Sequence, residues 1–281
     1  MSEKLLTIGM ATYDDFDGVY FSTQALRMYQ LQGIENDVEI IIIDNNPESN
    51  HGKEVEKHAR WISARYIPFT NKKSTTSRNE IFKHAKGKYT LCLDSHVMFE
   101  PNAIKNLLAY YKENPDTKNL IQGPLWYDDL KNVSTHFEPV WRDKMYGIWA
   151  TNHEALKKNE PFEIPMMGLG MFSCKTSEWQ GFNEKFKGFG GEEGYIHTKF
   201  RLAGGKCICL PNLKWNHRFG RPNGVPYPNT WEDRVTNYFI GWLEILKNPN
   251  DSFFETIINA FKDVFPRERM LEIFQKVQNE Q

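Results

Sequence analysis

Residues Lys88 to Pro101 read KYTLCLDSHVMFEP, and the fold class turns on how that stretch is parsed. Tyr89 to Leu93 is a short apolar run with a turn signal on either side, Gly87 before it and Pro101 after it. That describes a buried central strand rather than a helix. The strand runs out into Asp94, Ser95 and His96. On extended backbone Asp94 and His96 project to the same side, and a carboxylate beside an imidazole can hold one divalent cation. An isolated Asp-x-His is more often a turn-capping Asp and a surface His. Position favours the functional reading, because ligands in open α/β sheets bind beyond the carboxyl ends of the strands.

Working outward, Leu5 to Met10 reads as a first strand that stops in the polar turn Ala11 to Asp15, and Val19 to Gln32 carries helical spacing closed by Gly33. Val38 to Ile43 is a β-branched run of the kind buried on both faces of a parallel sheet. Ala64 to Phe69 predicts a third strand and Ser77 to Ala85 a helix. Downstream, Ala103 to Glu113 predicts a helix and Leu120 to Leu125 a strand, with short strands at Lys206 to Leu210 and Leu213 to Asn216. This alternation predicts an α/β fold, a doubly wound, mostly parallel sheet flanked by helices. From Trp126 to Pro161 aromatics abound without a clean period, as packing or as a substrate-side excursion. Phe189-Gly190-Gly191-Glu192-Glu193 opens a further helix to Leu202, and the loop from His217 to Pro228, stiff at prolines and free at glycines, suits a lid. Helical patterns at Trp231 to Leu246, Phe253 to Phe265 and Glu268 to Val277 form a tail. The expected division is residues 1–228 as one domain, with 229–281 as a C-terminal helical extension packed on it.

With 35 basic and 36 acidic residues the chain has no global field to recruit nucleic acid or an anionic membrane. Its 281 residues suit one large domain or a domain with an appendage. Cys92, Cys174, Cys207 and Cys209 lack a second pair at zinc-site spacing and read as reduced, buried thiols. There is no basic segment followed by a secretory apolar stretch, and no run near the ~20 apolar residues that cross a bilayer. The expectation is a soluble, cytoplasmic protein.

Three strand ends carry polar groups, Thr12/Tyr13, Asp44/Asn45 and Asp94/His96, as a nucleotide pocket along one rim of a parallel sheet requires. Each alone is an ordinary strand-to-helix turn; their joint occurrence carries the reading. Asp44 is placed to accept from a base N–H and Tyr13 to flank the base. Arg78, with Lys72 and Lys73 upstream, offers positive charge for phosphates. Neither a P-loop nor a Gly-x-Gly-x-x-Gly turn after the first strand is present, so the phosphates need another neutraliser. A metal held by Asp94 and His96, with His217 as third ligand, would act as a Lewis acid on a diphosphate leaving group. Imidazole ligation argues for manganese over magnesium.

On these residues the chain resembles the GT-A glycosyltransferases, of the broad family 2 type that uses nucleotide-sugar donors. The resemblance rests on Ile43-Asp44-Asn45-Asn46 at the nucleotide-contacting turn, on Ser77-Arg78-Asn79 with Ala85-Lys86-Gly87 before the metal strand, and on Leu93-Asp94-Ser95-His96 where most members carry Asp-x-Asp. Asp-Ser-His, Gly190-Gly191-Glu192 and a later His217 are similar to the polypeptide N-acetylgalactosaminyltransferases. It covers about Leu5 to Arg221 and implies a GT-A fold, a divalent metal, commonly Mn2+, and a UDP-sugar donor. It implies donor contacts from Thr12, Tyr13, Asp44, Asn45, Arg78, Asp94, Ser95, Gly168, Arg218 and Arg221. In the inverting pattern Glu193 is the general base; in the retaining pattern Glu192 is the matching acid. The expected acceptor is a hydroxyl of a glycan or glycoconjugate. Two alternatives stand beside it, transfer to a hydroxylated base in DNA and a non-catalytic nucleotide-sugar or carbohydrate-binding module.

Overall fold

The computed structural model describes residues 4–220 and 224–280. The first half of the chain alternates strand and helix: β1 (Lys4–Thr12), α1 (Phe16–Ala25), β2 (Val38–Asp44), α2 (Asn50–Trp61), β3 (Arg65–Pro68), α3 (Ser77–His84) and β4 (Gly87–Asp94). Then follow β5 (Val97–Phe99), α4 (Ala103–Glu113), β6 (Leu120–Gln122), β7 (Leu125–Trp126), β8 (Val133–Ser134), β9 (His136–Arg142), β10 (Met145–Ala150), α5 (His153–Lys158) and β11 (Phe162–Glu163). The chain closes with β12 (Met171–Lys175), α6 (Glu193–Leu202), β13 (Cys207–Cys209), β14 (Trp215–His217), α7 (Trp231–Leu246), α8 (Phe253–Ala260) and α9 (Arg267–Glu280).

Eight strands form the main sheet in the order β11-β13-β6-β12-β4-β1-β2-β3. Pairings β1 with β2, β1 with β4, β2 with β3 and β6 with β13 are parallel, so the sheet is mostly parallel. Leu91, Cys92 and Leu93 of β4 and Ile41, Ile42 and Ile43 of β2 are fully buried, as strands covered on both faces must be. Register sets the rim: Thr12 pairs with Asp44, and Ala11 with Asp94. The strand order reverses between β1 and β4, and in doubly wound sheets ligands sit at such a switch point.

The sequence reading assigns no element to residues 47–63, where the structure has α2. That helix buries Gly52, Val55, His58 and Ala59 at helical spacing, a stripe in which only Val55 and Ala59 are plainly apolar; a further signal is the N-cap Ser49, whose Oγ accepts from Gly52 N–H at 2.9 Å. The first helix ends earlier than expected and continues as a π-helical turn, Leu26–Gln30. The single strand expected at Leu120 to Leu125 is two, because Pro124 breaks the ladder; β7 leaves for a small sheet ordered β5-β14-β7-β8. β12, in a stretch read only as glycine-rich, inserts antiparallel between β4 and β6.

Two aromatics of residues 126–161, Trp141 and Tyr146, pack against α7 and α8. Trp141 lies within 4.9 Å of Tyr238 and 6.4 Å of Phe253 between ring centroids, and Tyr146 within 5.8 Å of Trp242. All four cysteines are free and buried. Among the described residues no helix is long and apolar enough to cross a membrane.

Candidate active site

β4 ends at Asp94 and β5 begins at Val97, so Ser95 and His96 form the tight turn between them. The small sheet then brings in a residue from far along the chain, since His217 of β14 pairs with Val97 of β5 and Arg218 N–H donates to the His96 carbonyl at 3.2 Å. As a result one ligand atom from each of Asp94, His96 and His217 lies within 4.8 Å of the others. His217 Nε2 is 3.1 Å from His96 Nε2 and 3.2 Å from Asp94 Oδ2. Gly170 makes this possible: a Cβ there would fall 3.0 Å from the Trp215 ring and 3.1 Å from His217 Cδ2.

Asp15, in the turn after β1, supports this cluster. Its Oδ2 accepts from His96 Nδ1 at 2.6 Å and from the Ser95 hydroxyl at 2.8 Å, and its Oδ1 accepts from Arg218 Nη2 at 2.7 Å. A carboxylate accepts, so the His96 proton belongs on Nδ1 and Nε2 is turned to the cluster with its lone pair. Burial alone would push the Asp15 carboxyl up; His96, Ser95 and Arg218 together hold it well below its ordinary value. Asp94 behaves alike, its burial outweighed by Arg78 and His217. Arg78 donates to Asp94 Oδ1 at 2.6 Å and to the Thr75 hydroxyl at 2.6 Å.

The donor set fits a divalent cation. Three ligand atoms converge from one carboxylate and two imidazoles, a charge-assisted hydrogen bond orients one imidazole, and His217 Nδ1 is buried without a partner. Two imidazoles beside one carboxylate suit manganese better than magnesium.

Glu192 and Glu193 both line a chamber of about 350 Å³, within the usual range of ligand sites; Glu192 is the more buried of the two, with Oε1 3.6 Å from Arg78 Nη1. Burial, with Glu192 alongside, pushes the Glu193 carboxyl up to about 7. Phe137, Trp149, Gly168, His217, Phe219, Tyr227 and Arg234 share the chamber walls. Beneath the glutamates, Asn237 of α7 holds the glycine loop: its Oδ1 accepts from Lys187 N–H at 2.8 Å, and its Nδ2 donates to the Lys187 and Gly190 carbonyls at 2.7 and 2.9 Å.

Thr12, Tyr13, Asn45, Arg78, Asp94, Ser95 and His96 line one cleft along the strand ends. Gly168, Glu192, Glu193 and His217 line the adjoining chamber. Asp44 lines neither; its Oδ1 accepts from Asn46 N–H and its Oδ2 from the Tyr66 hydroxyl, and burial pushes its carboxyl up. Arg218 is engaged by Asp15, and Arg221 lies outside the described residues. Lys72 does not face the cleft: its ammonium binds Glu184. Lys73 sits 5.3 Å over the Tyr13 ring. The sequence reading missed Asp15, hidden in a turn that looked generic, and Arg234 and Asn237, in a tail it set apart. For Asp15 the available signal was its place at the end of β1, level with the other two strand ends.

The Glycosyl transferase family 2 model matches residues 7–175. A Drosophila melanogaster protein provisionally named polypeptide N-acetylgalactosaminyltransferase 13 is 24% identical over 214 residues, covering 70% of this chain and 37% of that protein. Among solved structures, GalNAc-T7 with UDP, GalNAc and Mn2+ superposes with a TM-score of 0.71 at 15% identity, covering 99% of this chain and 54% of that one. The Pyrobaculum calidifontis mannosyltransferase in complex with GDP-Man and Mn2+ gives 0.56 at 13% identity, covering 99% and 74%. Staphylococcus aureus TarS gives 0.59 at 14%, covering 94% and 44%. The chain thus spans about a third to a half of the length of several proteins it resembles.

Proposed function

Because this chain belongs to glycosyl transferase family 2 and is a GT-A-fold glycosyltransferase, we propose that it transfers a sugar from a UDP-sugar to a hydroxyl of a glycan or glycoconjugate, with Mn2+ as cofactor. The observation that carries this reading is the convergence of Asp94, His96 and His217 at the strand ends beside a cleft and a chamber. UDP is the nucleotide of the GalNAc-T7 structure and Mn2+ the ion of both ligand-bound neighbours; for this chain both are part of the proposal.

Asp94, His96 and His217 would hold the cation, which when bound supplies Lewis-acid neutralisation of the diphosphate. Asp15 fixes the His96 ring and holds the Arg218 guanidinium beside it. Arg78 fixes Asp94, and Ser95 adds a hydroxyl to the same wall. Glu193 is the general base: its carboxylate takes the acceptor hydroxyl proton, the acceptor oxygen forms the new bond to the anomeric carbon, and the bond from that carbon to the diphosphate breaks. This gives inversion of configuration. Glu192, turned to Arg78, keeps that guanidinium aligned. Phe219 and Tyr227 narrow the chamber and limit water.

A thermal-shift panel of nucleotide sugars with and without Mn2+ tests the reading. A UDP-sugar should stabilise the chain only with the metal. Equal stabilisation by all nucleotides, or indifference to Mn2+, removes it.

A further inference from the structure

Three arginines stand around this site, and two have carboxylate partners. Arg78 meets Asp94 and Glu192, and Arg218 meets Asp15. Arg234, in the first turn of α7, has none: its Nε is buried without a hydrogen-bond partner, and among the described residues no carboxylate lies within ion-pair distance of its guanidinium. The side chain is nonetheless held. Its guanidinium carbon lies 5.1 Å from the Trp231 ring centroid. Against Gly190 the fit is so close that a Cβ there would fall 2.5 Å from Arg234 Nε. Gly190 has φ +99°, so the loop takes a backbone conformation open to glycine and leaves room for the arginine at the same position.

A guanidinium fixed between an indole and a glycine backbone, facing a chamber with Glu193 near it and no carboxylate in direct contact, has donors left to receive an oxyanion. Arg234 lines the chamber that holds Glu193 and is not part of the cleft lined by Thr12, Tyr13 and Asn45. The diphosphate has its own neutralisers at the strand ends. We propose that Arg234 binds a phosphate or carboxylate group carried by the acceptor, so that the acceptor is an anionic sugar or glycoconjugate whose charged group is anchored there while its hydroxyl meets Glu193. This rests on reading that chamber as the acceptor side of a glycosyltransferase.

The test is calorimetric titration of the full chain, with UDP and Mn2+ present, by glucose 6-phosphate, glucuronate and glucose. At least one charged sugar should bind saturably and glucose should not, and the tighter of the two names the oxyanion. Arg234→Ala should weaken that binding by at least about tenfold, Arg234→Lys by less, and UDP affinity should hold in both. Four results overturn the proposal: glucose binding as well as the charged sugars, neither charged sugar binding, Arg234→Ala binding them undiminished, or UDP affinity falling in step with theirs. If the wild-type chain shows no Mn2+-dependent UDP binding, the donor assignment fails instead, and the same titrations without UDP still decide the role of Arg234.

Discussion

His96 Nε2 and His217 Nε2 stand 3.1 Å apart across 121 positions of sequence, with an Asp94 oxygen 3.2 Å from the second. Replacing either histidine with alanine should lower Mn2+ affinity by more than the roughly 10–100-fold typical of a lost outer-shell partner. It should also leave UDP binding indifferent to Mn2+. Electron paramagnetic resonance titration of free Mn2+ measures the first effect and calorimetry the second. Unchanged Mn2+ affinity in both variants would remove the ligand assignment.

Asp15 is expected to act through His96 and not by touching the cation. Asp15→Asn keeps the shape but weakens the grip on Nδ1–H, and should cost about 10–100-fold in Mn2+ affinity. Asp15→Glu should recover part of it. If the melting temperature falls while Mn2+ affinity holds, Asp15 is only a tie between β1 and the loop after β14.

Glu193 sets a pH dependence whose sign can be worked out. Its carboxyl is held up at about 7 in the folded chain, against an ordinary value of 4.5, so between these limits the folded state binds more protons than the unfolded one. Stability therefore declines as pH rises through that window. Transfer should rise over the same range as the base ionises, with a midpoint near 7. Glu193→Gln should lower turnover by about 10²–10⁴-fold and flatten the stability slope. Its melting temperature at pH 8 should then exceed that of the wild-type chain. A variant that keeps its turnover would reassign the base.

Asn237→Ala removes three hydrogen bonds to the glycine loop and orphans Lys187 N–H and two carbonyls. The cost should be about 3 kcal/mol, read by denaturant unfolding. Turnover should fall further than Mn2+ or UDP affinity, because the loop it holds carries Glu193 and not the metal ligands. Equal losses in all three would mean general unfolding.

The parallel core was legible because Val38 to Ile43 and Tyr89 to Leu93 are β-branched and apolar runs that only a doubly covered strand accommodates. Asp94 and His96 followed from their place at the end of such a run. What stayed hidden was set by tertiary pairing. α2 has a helical stripe built partly on Gly52 and His58 rather than on apolar residues, β12 reverses direction inside the sheet, and Pro124 sends β7 elsewhere. Asp15, Arg234 and Asn237 are ordinary residue types in ordinary contexts; only their neighbours in space give them roles.

α7 follows the loop it secures in the order of synthesis, and domains form from the N-terminal side as the chain emerges. A nascent chain can thus have its sheet in place while Gly190 and Glu193 still lack the floor that Asn237 provides. On the proposed reading, transfer would wait on the docking of α7.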